Sequence, residues 1–125
     1  MSGGVVLDAG AFIALERRSE KMAVLARRFA RSKTPLVTSA GVVAQVWRSG
    51  GRRQVPVAFL LARTEVIDLS AQVARTLGLM LAASGASDAI DAHVALLARE
   101  RGWPVLTSDP ADLHAIDATL TVERI

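Results

Sequence analysis

At 125 residues, 51% of them apolar, the chain is expected to fold as one domain (1–125) with a core of its own. It has no cysteine, which excludes disulfide scaffolds, zinc–thiolate sites and cysteine nucleophiles and fits a reducing cytosol. The net charge of +3 and pI of about 10.5, carried mostly by arginine, suit a polyanionic partner or simply a solvated surface, and no apolar run approaches the ~18–20 residues of a membrane span.

The N-terminal stretch MSGGVVLDAGAFIAL lacks a basic leader and carries Asp8 inside its apolar run, so it is not read as a signal peptide. A first strand covers about Val5 to Asp8, followed by a short helix through Leu15. Ser19 is a good N-cap for a second helix reaching Arg31, with Met22, Leu25, Ala26 and Phe29 at helical spacing. Pro35 leads into a strand at Leu36–Thr38, and Ser39 can cap a helix bearing Val42, Val43, Val46 and Trp47. After Gly50-Gly51, a helix is expected over Arg52–Arg63 with Pro56 in its first turns, then a strand at Glu65–Asp68. Ser70 should cap a helix ending near Ser84-Gly85, and Ser87 one running to Arg101 and closed by Gly102. A strand at Pro104–Thr107, a short helix from Asp109-Pro110 and an edge strand at Leu120–Val122 complete the chain.

Short β-branched runs alternating with helices imply a parallel sheet. The order β-α-α-β-α-α-β-α-α-β-α-β suits an α/β three-layer sandwich, its central, mostly parallel sheet flanked by helices. With aromatics at 4%, its core should be aliphatic.

Ligands of open parallel sheets sit beyond the carboxyl ends of the strands. Asp8 and Asp109 fall at two such ends, and the helix before the last strong strand carries Asp88 and Asp91. Each acid also has an ordinary structural use. Asp8 can cap a helix, Asp109 followed by Pro110 is a good N-cap pair, and Asp88 near a helix start meets a favourable dipole. Asp68 is expected to serve a turn, and Asp112 to be solvated or in the first turn of the last helix. Asp91, read as lying a full turn into its helix, is beyond capping and shares a face with Asp88. Carboxylates gathered in this way repel one another unless a cation lies between them, so a divalent site at Asp8, Asp88, Asp91 and Asp109 is the better reading. Neither His93 nor His114 has ligand spacing to these acids and both are expected in packing or surface roles. All-oxygen donors favour Mg²⁺ or Mn²⁺ over Zn²⁺.

The remaining chemistry is thinner. There is no phosphate-binding glycine loop, and Ser39, Ser84, Ser87 and Ser108 show no pattern with a histidine, which argues against a serine hydrolase. Thr107 and Ser108 can bind a water or a phosphate oxygen beside Asp109, or merely make a turn. Arg48, Arg52 and Arg53 form a basic patch that either meets phosphates or is simply solvated, beside Trp47, which is expected in the core or an interface.

The segments VVLDAGAFIALE, TSAGVVAQVWR and SDAIDAHVALLARERGWPVLTSDPADL resemble the PIN-domain family over almost the whole chain, above all the VapC toxins of bacterial VapBC toxin–antitoxin pairs. The last segment is the most specific, with a DAxxxA helix leading to a T-x-D strand end. The resemblance implies a cytoplasmic Mg²⁺- or Mn²⁺-dependent endoribonuclease that acts on RNA, dimerises, and is held inactive by a VapB-type antitoxin. By position it makes Asp8 the first acid, Asp91 the third and Asp109 the fourth. Where the family usually has a second acid, glutamate, this chain has Gln45, which offers a carbonyl oxygen but no charge; Asp88 is the candidate to restore that charge. The expected function is therefore RNA cleavage by metal-activated water. The rival is a PIN-like module that binds RNA or antitoxin without cleaving, and a metal-dependent phosphatase is a weaker third.

Overall fold

The computed structural model describes residues 3–125; Met1 and Ser2, the start of the segment read as lacking a leader, lie outside them. Its elements are β1 (Val5–Leu7), α1 (Ala9–Glu16), α2 (Glu20–Ser32), β2 (Leu36–Ser39), α3 (Ala40–Val46), a 3-10 turn (Arg52–Gln54), α4 (Val55–Leu61), β3 (Thr64–Ile67), α5 (Ala71–Ser84), α6 (Ala89–Arg101), β4 (Val105–Thr107), α7 (Pro110–Ile116) and β5 (Val122–Arg124).

The strands form one sheet in the order β3-β2-β1-β4-β5, and every pairing is parallel. Central parallel strands are covered on both faces and need continuous apolar runs. Val6, Leu7, Val37, Val105 and Leu106 are accordingly buried, whereas the edge strands β3 and β5 keep exposed residues. The helices fall into two packed groups. In one, α6 lies against β1, β2 and β4 and is backed by α5 and α7. In the other, α1 touches β4 and packs on α2, α3 and α4, while α3 and α4 reach β3. The result is the expected three-layer α/β arrangement. Its core is mostly aliphatic, but Phe12 and Met22 are also completely buried.

Local signals hold at most helix starts. Ser19 Oγ accepts from Met22 N at 3.2 Å, Ser39 Oγ from Gly41 N at 3.0 Å and Ser70 Oγ from Val73 N at 3.2 Å. Ser87 does not cap α6. Asp88 does, its Oδ1 accepting from Ile90 N at 2.8 Å and Asp91 N at 3.0 Å. A carboxylate taking two backbone N–H bonds outbids a neighbouring hydroxyl because both bonds are charge-assisted. The expected helix over Arg52–Arg63 is divided into the 3-10 turn and α4. The last strand begins two residues later than expected, because Asp117 Oδ1 accepts from Thr119 N and Oγ1 and so draws residues 117–120 into a turn. Trp47 ends α3 at 43% exposure, outside the core, and lines an apolar groove with Val43, Ala58, Leu61, Ala62 and Val66.

Burial separates two leucines of similar sequence context. Leu97 on α6 is packed in the core and Leu79 on α5 is 74% exposed. Leu97→Ala should cost about 2–4 kcal/mol in urea unfolding, and Leu79→Ala about 0.5 kcal/mol or less.

Candidate metal centre

All five strands end on the same side, so residues that follow them are brought together. Asp8 follows β1 and is 8% exposed. Its Oδ1 accepts from Ala9 N at 2.8 Å and its Oδ2 from Thr107 Oγ1 at 2.7 Å. The same Thr107 oxygen accepts from Asp109 N at 3.0 Å. One buried hydroxyl at the end of β4 thus aligns the Asp8 carboxylate and the Asp109 backbone. Thr38 on β2 closes the other flank, donating to Leu7 O at 2.6 Å.

Asp109 occupies the N-cap position of α7 but makes no side-chain capping bond, so capping does not account for it. Among the described residues its only side-chain partner is Ser108 Oγ, at a long 3.4 Å, and the residue is exposed. Two glycines allow the close approaches behind this arrangement. A Cβ at Gly10 would lie 2.5 Å from Ser108 Oγ, so only glycine lets α1 meet the loop after β4. A Cβ at Gly41 would lie 2.8 Å from Ile90 Cγ1, so glycine also brings α3 against the start of α6. Gln45, one turn after Gly41 on α3, is exposed.

With Asp88 as the cap, Asp91 is the third residue of α6, inside the first turn and not a full turn in. It is half-buried. Asp88, Asp91 and Asp112 line one open groove of about 290 Å³ together with Ala86, Ser87, Ala115 and Ile116. Asp112 lies in the first turn of the last helix, one of the two places expected of it. It is exposed, but it faces the same groove as Asp91. Its spacing of three from Asp109 is the helical spacing that links Asp88 and Asp91, and that was the available signal.

The electrostatics tie these groups together. Burial, reinforced by the charges of Asp88, Asp8, Asp112 and Asp109, pushes the Asp91 carboxyl up to about 7. Burial also raises Asp8, opposed by its bonds from Thr107 and Ala9 and assisted by Asp109 and Asp88. Among the described residues, the charges acting on these two carboxyls belong to other acids. A set of hard oxygen donors with no internal counter-charge is chemically matched to a hard divalent cation. Among the described residues, no three acidic or imidazole groups already have the spacing of a coordination shell. The fold therefore collects these acids without closing them around a point.

The other candidates separate from this cluster. Arg48 Nη1 donates to Ala44 O at 3.2 Å and Trp47 O at 2.8 Å, at the end of α3. Buried Gln54 donates from Nε2 to Glu16 Oε2 at 2.6 Å and Val46 O at 3.3 Å, pinning the turn with Arg52 and Arg53 to the C-terminal ends of α1 and α3. That is roughly 10–12 Å of helix rise from Asp8 and Ser39, where those helices begin. Asp68 follows β3 and is exposed. His114 Nε2 lies 3.0 Å from Leu120 O, a packing role as expected.

His93 is buried, and its Nδ1 lies 2.6 Å from Ser39 Oγ. Ser39 thus does have a histidine partner, which spacing could not reveal because 54 residues separate the two. Both side chains are enclosed, and burial lowers the His93 pKa, keeping the ring neutral. The pair latches the end of β2 to α6.

Asp91 makes stability depend on pH with a definite sign. Its folded-state value of about 7 lies above the ordinary aspartate value of 3.8. Between those limits the folded chain holds a proton that the unfolded chain has released, so stability present at low pH is lost as pH rises toward 7. Asp91→Asn should make the metal-free protein more stable than wild type at pH 8, by about 1–2 kcal/mol after allowance for solvent screening. The two should converge at pH 4. Urea unfolding in a chelator at both pH values measures this.

The sequence profile of the PIN domain matches residues 5–118. A comparison with proteins of curated function found no match. Among solved structures, a chain of VapBC2 from Rickettsia felis, bound to a DNA fragment from its promoter, is 18% identical with a TM-score of 0.71, the match covering 97% of this chain and 98% of that one. FitAcB from Neisseria gonorrhoeae is also 18% identical, at a TM-score of 0.57, with 94% and 95% covered. These likenesses place the fold, and the profile, spanning all five strands but the last, places the sequence: the chain belongs to the PIN-domain family.

Proposed function

We propose that the chain is a Mg²⁺- or Mn²⁺-dependent endoribonuclease, the toxin of a VapC-type toxin–antitoxin pair, working in the cytoplasm as a single PIN domain. The observation that carries this reading is the acidic cluster at the carboxyl ends of the strands, in which Asp91 is crowded by four other acids and by no base. Nuclease chemistry is the general expectation for a PIN domain. The fold likeness to VapBC2 and FitAcB supports a VapB-type antitoxin as partner, and a homodimer is part of the same reading.

Asp8, Asp91 and Asp109 would hold the cation, with Asp88 and Asp112 adding negative charge from the groove. When bound, the ion would neutralise charge at the scissile phosphate and lower the pKa of an attacking water. The protein's part is positioning. Thr107 holds the Asp8 carboxylate in one rotamer and sets the backbone of Asp109. Burial first, and the charges of Asp88 and Asp8 second, favour the protonated Asp91 carboxyl, so a bound cation would shift it toward the ionised form. Asp88 spends Oδ1 on the helix start, so any contribution to the ion comes through its other oxygen or a bound water. Arg48, Arg52 and Arg53 would meet RNA away from the cut and add affinity without base choice.

A second reading draws on Gln45. An exposed amide at the position of the family's usual second acid, with no preformed shell, suits a domain that binds RNA or antitoxin and cleaves slowly. The two readings differ in one assay. Wild-type protein with Mn²⁺ should cut single-stranded RNA, and Asp8→Asn, Asp91→Asn and Asp109→Asn should each reduce cutting about 100-fold or more while remaining folded. Gln45→Glu should raise the rate. If Asp91→Asn cuts as fast as wild type at saturating metal, the nuclease reading is wrong. If wild type binds RNA without cutting and Gln45→Glu starts to cut, the binding module is right.

A further inference from the structure

Two cations stand at the ligand end of the sheet, where the sequence patterns pointed to none. β5 pairs with β4 in a register that sets Arg124 beside Thr107. Arg124 Nη1 donates to Ser108 O at 3.2 Å. Ser108 therefore sits between Arg124, at its carbonyl, and Asp109, at its hydroxyl. Lys21, at the start of α2, donates from Nζ to Arg124 O at 3.2 Å. Both residues are exposed.

We propose that Arg124, with Lys21 beside it, grips an RNA phosphate next to the one being cut, as a positioning pair for the nuclease site. The proposal rests on the nuclease reading above. Arg124 uses one of its five N–H donors on the protein and Lys21 one of three, so each has donors to give. Neither is among the groups acting on Asp8 or Asp91, so neither occupies the place of the cation. Arg124 is nonetheless braced on the loop that carries Asp109, through its bond to the carbonyl of the preceding residue. A guanidinium fork held in this way matches two oxygens of one phosphate, and the ammonium adds a point charge. Arg48, Arg52 and Arg53 lack this position, lying a helix length away. The chemistry recognised is a polynucleotide carrying at least one phosphate beyond the scissile one.

The alternative is that Arg124 only braces the Ser108 loop. Three measurements on Arg124→Ala and Arg124→Lys separate these. Mn²⁺ affinity of the RNA-free protein, by calorimetry, should be unchanged. For cleavage of a single-stranded RNA oligomer of mixed sequence, KM should rise about tenfold in the Ala variant and less in the Lys variant, with kcat within about twofold. In an Asp91→Asn background, the slope of log Kd for that oligomer against log salt should fall by roughly 0.7–1 with Arg124→Ala, and again with Lys21→Ala. An unchanged KM and salt slope would overturn the proposal, as would a fall in Mn²⁺ affinity that tracks a fall in kcat. If wild type cuts no RNA but the slope still falls, the phosphate contact stands and the nuclease reading fails.

Discussion

The hydroxyl of Thr107 joins the two halves of the candidate centre, and much of the local structure depends on it. It donates to Asp8 at the end of β1 and accepts from the backbone of Asp109 beyond β4. It can do both only because β1 and β4 are adjacent parallel strands in register, Leu7 opposite Leu106. That adjacency requires a chain that runs from β1 through two other strands and back, with helices covering both faces. It also requires Gly10, since any side chain there would meet Ser108. The topology brings the carboxylates together, and a hydroxyl and a glycine set how closely.

The same closeness has a cost. Asp8 and Asp91 lie in surroundings that disfavour their charged forms, by burial first and by neighbouring acids second. Nothing in the core gains from this. A domain with a continuous aliphatic core tolerates the penalty because its stability comes from elsewhere, in the packing of α6 on β1, β2 and β4. Strain confined to the carboxyl edge of a sheet that is otherwise locally consistent is the pattern expected of a functional site.

Much of this was legible in the sequence. β-branched runs ending at polar residues marked four strands to within about a residue, and the element order matched throughout. The places of Asp8 and Asp109 beyond strand ends, and of Asp91 on the helix before β4, were readable because strand ends and helix starts are marked locally. The departures have local causes. Two adjacent residues able to cap α6, Ser87 and Asp88, competed, and the carboxylate won with two backbone bonds. That choice moved Asp91 from mid-helix to the first turn. The Asp117 turn displaced β5, and with it Arg124, which no sequence pattern singled out because its significance comes from register with Thr107. The Ser39–His93 latch and the Gln54–Glu16 bond join residues 54 and 38 positions apart, and periodicity carries no information at that range.

The two basic regions illustrate why charge in a sequence is a poor guide to charge at a site. Arg48, Arg52 and Arg53 are dense in sequence. In the fold they are held at the far ends of α1 and α3, and Arg48 uses its guanidinium on the carbonyls that end its own helix. Arg124 and Lys21 are 103 residues apart, yet they meet at the edge of the acidic cluster. A polyanion approaching five acids faces repulsion everywhere except where a cation is bound or a basic group is fixed nearby. The geometry offers one such fixed flank, on the β5 side, and the acidic groove of Asp88, Asp91 and Asp112 on the α6–α7 side. On the proposed nuclease reading, an extended strand of phosphates would enter along β5 and be turned away from the groove, so the direction of such a substrate would follow from where the carboxylates are left uncompensated.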